Sequence, residues 1–164
     1  MEQVTMMELL DAREQRAAHQ WELMKQYPQC SLISMTLNIP GSVKDLEKYR
    51  KALVAGLLEL KEKMANVVYE EIRWLKTGSE VFLVVNEPAL DVKKKAVAVE
   101  EQSPIGRLLD IDVIRKAGPV SREKVGGKPR KCLICDEDAK VCARIQKHSL
   151  EELLQKIDEI LEQI

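Results

Sequence analysis

The sequence predicts an α+β fold: a ferredoxin-like split βαβ antiparallel sheet, with an N-terminal helix and a C-terminal Cys-rich loop plus helix. Three observations carry this. Apolar and polar residues alternate over 31–39 and 108–114, the period of a strand. Stretches of helical period lie between those segments. Two Val/Ile-rich runs, 67–76 and 80–86, are joined by Thr77-Gly78-Ser79 and read as a hairpin. The order is therefore β-α-β-β-α-β.

The elements follow in turn. Thr5 and Glu8 fit a capping box that opens a first helix, with Leu10, Ala17, Trp21 and Met24 on one face and Pro28 as its stop. Ile33, Met35, Leu37 and Ile39 then alternate with Ser34, Thr36 and Asn38, a half-buried strand that Pro40-Gly41 breaks. From Ser42 the period is helical again, with Leu46, Tyr49, Leu53, Leu57, Leu60 and Met64 in one stripe. Residues 89–102 fit strand or helix; Lys93 to Lys95 favour a helix with one wet face. In the last strand Leu109, Ile111 and Val113 face the core, between Asp110 and Asp112. Residues 115–131 form a loop with seven Lys/Arg against one acid. A short helix is expected over 137–145, and Ser149 with Glu152 caps an amphipathic final helix.

With 164 residues, the chain reads as one domain. Its parts are an N-terminal helix (1–28), the βαββαβ core (31–114), the basic loop (115–131) and a Cys/His segment with the final helix (132–164). Charged residues reach 32% but cancel to −1, and aromatics are only 4%, so no nucleic-acid partner is expected. No apolar run is long enough to span a bilayer, and the N-terminus lacks the pattern of a signal peptide. The expectation is a soluble cytoplasmic protein with no membrane partner, its four cysteines reduced or bound to metal.

Three constellations bear chemistry. Asp110 and Asp112, two apart on a strand, point to the same side. Adjacent carboxylates repel, and Mg²⁺ is commonly held by one or two of them together with substrate phosphates. The same pattern also fits a solvated face of an edge strand. Gly41 and Lys44 sit where a strand gives way to a helix, which is an anion site or an ordinary turn. Cys132-x2-Cys135-x6-Cys142-x5-His148 fits a tetrahedral zinc site, and equally fits reduced thiols packed under the last helix. Arg13 and Arg16 share a helix surface and either reach a ligand or face solvent.

Taken together, these residues resemble a known family. The run Pro104-Ile105-Gly106-Arg107-Leu108-Leu109-Asp110-Ile111-Asp112-Val113 is similar to the signature of the citrate lyase holo-acyl-carrier-protein synthases, also called apo-citrate lyase phosphoribosyl-dephospho-CoA transferases. Pro129 to Cys135, with Ala139, Cys142-Ala143-Arg144 and His148, resembles the family's C-terminal segment. Ala12-Arg13-Glu14-x-Arg16 and Pro40-Gly41-x-x-Lys44-Asp45 resemble its N-terminal marks, so the likeness covers about residues 9–154. Ser103 stands where the family carries His, and no acid–base role is expected there.

The resemblance implies a nucleotidyltransferase. It would move phosphoribosyl-dephospho-CoA from 2′-(5″-triphosphoribosyl)-3′-dephospho-CoA to a serine of the apo acyl carrier (gamma) subunit of citrate lyase, releasing pyrophosphate. The expected catalytic set is Asp110 and Asp112 with Mg²⁺, beside Arg107. Gly41, Lys44, Gly106, Arg122, Arg130, Lys131 and Arg13 would bind the donor. Zinc at Cys132, Cys135, Cys142 and His148 is the possible second metal. Two other classes compete: a non-catalytic zinc module that binds a protein, and another Mg²⁺-dependent nucleotide enzyme on the same scaffold.

Overall fold

The structure is a computed structural model and describes residues 2–164. Helix α1 (Met6–Gln26) leads to strand β1 (Ser31–Leu37), helix α2 (Glu47–Lys63), the hairpin β2 (Val67–Arg73) and β3 (Glu80–Val85), and helix α3 (Ala89–Gln102). A 3-10 turn at Gly106–Leu108 then feeds β4 (Leu109–Arg115) and the two-residue β5 (Gly118–Pro119). A second 3-10 turn (Arg122–Val125), α4 (Ala139–Ile145) and α5 (Leu150–Leu161) complete the chain. The strand order is β2-β3-β1-β4-β5, and every neighbouring pair is antiparallel. The first four strands thus have the split βαβ arrangement.

The period of two decides what each strand buries. Ile33 and Met35, Val81, Leu83 and Val85, and Leu109, Ile111 and Val113 form one sheet face. They pack with Tyr49, Leu53, Leu57 and Leu60 of α2 and with Val92, Ala96 and Val99 of α3. Removing each large side chain here from water contributes about 1.5–3 kcal/mol. The opposite face is also covered near one end. Leu32, Phe82 and Val84 pack there with Leu23 of α1. This is why β1 is buried on both sides over Ser31–Met35 rather than half-buried.

Helix α1 departs from its expected stripe. Its capping box is in place, but Leu10 and Trp21 are exposed. The side turned to the sheet carries Arg16, His19, Gln20 and Leu23 instead. Arg16 donates to Glu80 at 2.8 Å, Gln20 donates to Ser34 at 2.8 Å, and His19 Nε2 lies 2.6 Å from Glu71. The helix roofs a polar part of the sheet, so polar residues face inward and an apolar stripe does not describe it. Lys93, expected on a wet face, is also buried, for a reason that concerns β4.

Gly106 has a clear steric cause. A Cβ there would stand 2.3 Å from the carbonyl oxygen of Val99 and 2.4 Å from that of Glu100. Both are main-chain atoms of α3 and cannot swing aside. Gly106→Ala is expected to destabilise the protein by about 3 kcal/mol or more. A fall in the urea midpoint without change in slope would show this, and an unchanged midpoint would contradict it.

Candidate functional site

Asp110 and Asp112 project from β4 on the face that α1 partly covers. Across the ladder they oppose Thr36 and Ser34 of β1. Neither carboxylate forms an ion pair among the described residues. The Asp112 carboxyl lies above its ordinary range, first because surrounding protein partly desolvates it and then because Asp110 is a like charge beside it. Lys93 and Arg16 pull it the other way. Two neighbouring carboxylates without a cationic partner are a donor set of hard oxygens suited to a divalent cation.

The strand that presents them is locked from its outer edge. β5 pairs only with Ile114 and Arg115, so the edge of β4 before them needs other partners. Lys93 donates to the Ile111 carbonyl at 3.0 Å, and the Ile111 N–H donates to Glu100 at 3.1 Å. Arg130 donates to the Leu109 carbonyl at 2.7 Å, and Val120 N–H to that of Val113 at 2.8 Å. Arg122 completes the buried group by donating to Glu100 at 2.8 Å. Ile111 lies between the two aspartates, so this clamp fixes the backbone that aims them. Glu100 and Lys93 were not expected as site residues. A Lys and a Glu seven apart on a helix read as surface, and only the pairing of β4 shows what they do.

Glu100→Gln leaves Arg122 and Arg130 facing a neutral amide in a buried place. It is expected to cost about 3–5 kcal/mol, the range for a broken buried ion pair. Denaturant unfolding would measure it, and a loss below about 1 kcal/mol, typical of an exposed pair, would contradict the clamp.

Gly41 and Lys44 were open to two readings, an anion site at a helix start or an ordinary turn, and the structure moves the helix start away from them. α2 opens at Glu47 rather than Ser42, so Gly41 and Lys44 lie in a loop and no helix start stands over them. Lys44 Nζ donates to the Ile39 carbonyl. Its pKa is lowered by burial and then by the charge of Arg13, which places those two cations near each other. Gly41 has φ +85 and rests against Leu150.

The basic loop is also more structured than a free loop, since it holds β5 and a 3-10 turn. Its arginines are engaged by the protein. Arg122 donates to Lys128 O as well as to Glu100, and Arg130 also to Gly106 O and Arg107 O, both at 3.0 Å. Arg107 donates to the carbonyls of Lys131 and Cys132. Arg107 and Arg130 tie the GRLLDID segment to the cysteine loop, and Arg122 ties the basic loop to α3. The Lys131 side chain is exposed and has no such partner among the described residues.

The cysteine loop brings Cys132, Cys135, Cys142 and His148 together, with all four donor atoms within 4.8 Å of one another. Cys135 Sγ lies 3.4 Å from Cys142 Sγ and 3.5 Å from His148 Nε2. Around a tetrahedral zinc, with bonds of ~2.3 Å to sulfur and ~2.0 Å to nitrogen, such edges measure roughly 3.5–3.8 Å. The set can therefore hold a metal. Burial works against a Cys132 thiolate, but N–H groups of Cys135 and Ile134 bring its pKa below the ordinary value. Burial and the neighbouring thiols push Cys142 up to about 12. A metal must displace that proton, so its binding weakens as pH falls. Lys147, 3.8 Å from Cys135 Sγ, adds a positive charge beside the cluster.

Fold and clusters define an α+β domain with a clamped carboxylate strand and a Cys3His loop able to hold a metal. No described helix is long and apolar enough to cross a membrane. A family model described as apo-citrate lyase phosphoribosyl-dephospho-CoA transferase matches residues 4–164. A probable apo-citrate lyase phosphoribosyl-dephospho-CoA transferase of Streptococcus pyogenes serotype M18 is 39% identical over 166 residues, covering 98% of this chain and 86% of that protein. One of the same name from Vibrio cholerae serotype O1 (strain M66-2) is 36% identical over 163 residues, covering 96% and 91%. The chain belongs to the apo-citrate lyase phosphoribosyl-dephospho-CoA transferase family, and it is a transferase.

Proposed function

We propose that this enzyme transfers phosphoribosyl-dephospho-CoA from 2′-(5″-triphosphoribosyl)-3′-dephospho-CoA to a serine of the apo acyl carrier subunit of citrate lyase. The serine Oγ forms a bond to the ribose-proximal phosphorus, the bond from that phosphorus to the bridging oxygen breaks, and pyrophosphate leaves. The observation that carries this is the pair Asp110 and Asp112, unpaired and side by side on a clamped strand, in a chain matched to the family over 4–164.

Asp110 and Asp112 would hold Mg²⁺, which when bound offsets the triphosphate charge. Phosphoryl transfer depends chiefly on positioning and charge stabilisation, so the chain needs few further groups. Arg13 and Lys131 are the cations we assign to phosphate oxygens; Lys44, beside Arg13, is held by the Ile39 carbonyl. Arg107, Arg130 and Arg122 keep their guanidinium groups on the protein and act by positioning. The serine proton passes to a carboxylate, and Asp112 is the candidate. Cys132, Cys135, Cys142 and His148 would hold Zn²⁺. Four protein ligands fill a tetrahedral shell, so this metal is structural.

Pyrophosphate release tests the reading. With donor, Mg²⁺ and apo carrier, one pyrophosphate per carrier is expected. None is expected when the acceptor serine is replaced by alanine. Release that does not depend on the carrier would contradict the transfer.

A further inference from the structure

The end of the β1–β4 pair opens into a cavity of about 620 Å³, within the range that takes small ligands. It lies between the Gly106–Leu108 turn, the cysteine loop, α4 and the start of α5. Leu133, Leu150 and Leu153 supply apolar wall, and no Asp or Glu lines it. Asn38, Lys131 and Gln146 also line it, and none of these side chains has a hydrogen-bond partner among the described residues. Gln146 adds an independent sign. It has φ 49, the one positive φ outside glycine among the described residues. Glycine or asparagine is the usual residue at such a helix end. Glutamine is an unusual residue in this left-handed conformation.

We infer that this cavity seats an adenine nucleoside, the dephospho-CoA end of the donor, and this rests on the transfer reading above. A side-chain amide can bond both the N6 amino group and N7 of adenine. Guanine would present N–H groups that call for a carboxylate, and the cavity has none. Arg107 is held by the Lys131 and Cys132 carbonyls and gives the wall an immobile guanidinium, a group that stacks on aromatic rings. Lys131 supplies a charge for phosphate. Arg107 is three residues from Asp110, at most about 11 Å along the chain, so one donor can reach from the cavity to the carboxylates.

Titration calorimetry on the full, zinc-loaded protein tests this, with 3′-dephospho-CoA, ADP and GDP as probes. Gln146→Gly is expected to melt at or above the parent temperature, because glycine suits φ 49, yet to weaken dephospho-CoA binding about tenfold or more. Asn38→Ala should weaken it likewise, and ADP should bind about tenfold tighter than GDP. Asp110→Ala should leave dephospho-CoA binding unchanged, since the probe lacks the triphosphate. Parent-like dephospho-CoA binding by both cavity variants, or equal affinity for ADP and GDP, would overturn the assignment. If carrier transfer fails while the expected binding results hold, the cavity assignment stands and the transfer reading falls. If transfer proceeds while both variants bind as the parent does, the reverse follows.

Discussion

Asp110→Ala is expected to lower carrier transfer on the order of 10²–10³-fold, the usual size of losing one preorganised charge-stabilising group. The fold should survive, because the side chain is exposed and forms no ion pair among the described residues. Asp112→Asn should lose activity similarly while showing a second, separable effect. The Asp112 carboxyl titrates above the ordinary value in the folded state. The unfolded chain therefore releases this proton first as pH rises, and stability falls between the ordinary carboxylate range and the raised one. Asp112→Asn removes that loss. Without added Mg²⁺, its denaturant midpoint should decline less from pH 4 to pH 7 than the parent's. A variant that transfers at the parent rate would remove the carboxylate from both roles proposed for it. A parent-like decline would contradict the raised Asp112 carboxyl.

Cys142→Ser carries the second large effect. Structural zinc is folding free energy, so the loss of one ligand unties the loop that Arg107 and Arg130 join to the Gly106–Leu108 turn. The parent should contain one zinc per chain by elemental analysis, and the variant a small fraction of that. The melting temperature should fall by roughly 10 °C, corresponding to about 3–5 kcal/mol for a chain of this size. Cys30 lies outside the cluster and is half-buried against the α1 side of the sheet. Cys30→Ser should keep the metal and serves as the control. Full zinc content in Cys142→Ser would contradict the four-ligand site.

The β-α-β-β-α-β order and both capping boxes were legible because they rest on local period and on single hydrogen bonds. The alternation around Ile111 and the Cys/His spacing were legible for the same reason, since a strand period or a short loop brings those groups together directly. What failed depends on which surfaces meet. Leu10 and Trp21 have helical spacing but face outward, because α1 covers a polar sheet face. Lys93 and Glu100 look like surface charges, yet they complete the main-chain hydrogen bonds of an unpaired strand edge. Arg122 and Arg130 of the basic loop suggested phosphate ligands, and the fold gives them to carbonyl groups and Glu100 instead. Gln146 had no sequence signal at all. Its importance appears only in a backbone angle.

The most direct test of the transfer is the intact mass of the apo acyl carrier subunit after incubation with this enzyme, Mg²⁺ and triphosphoribosyl-dephospho-CoA. A gain equal to the donor less pyrophosphate is expected, located on one serine, and no gain over the same interval with Asp110→Ala. An unmodified carrier, with folded enzyme and intact donor, would contradict the transfer; an equal gain with Asp110→Ala would contradict the carboxylate site.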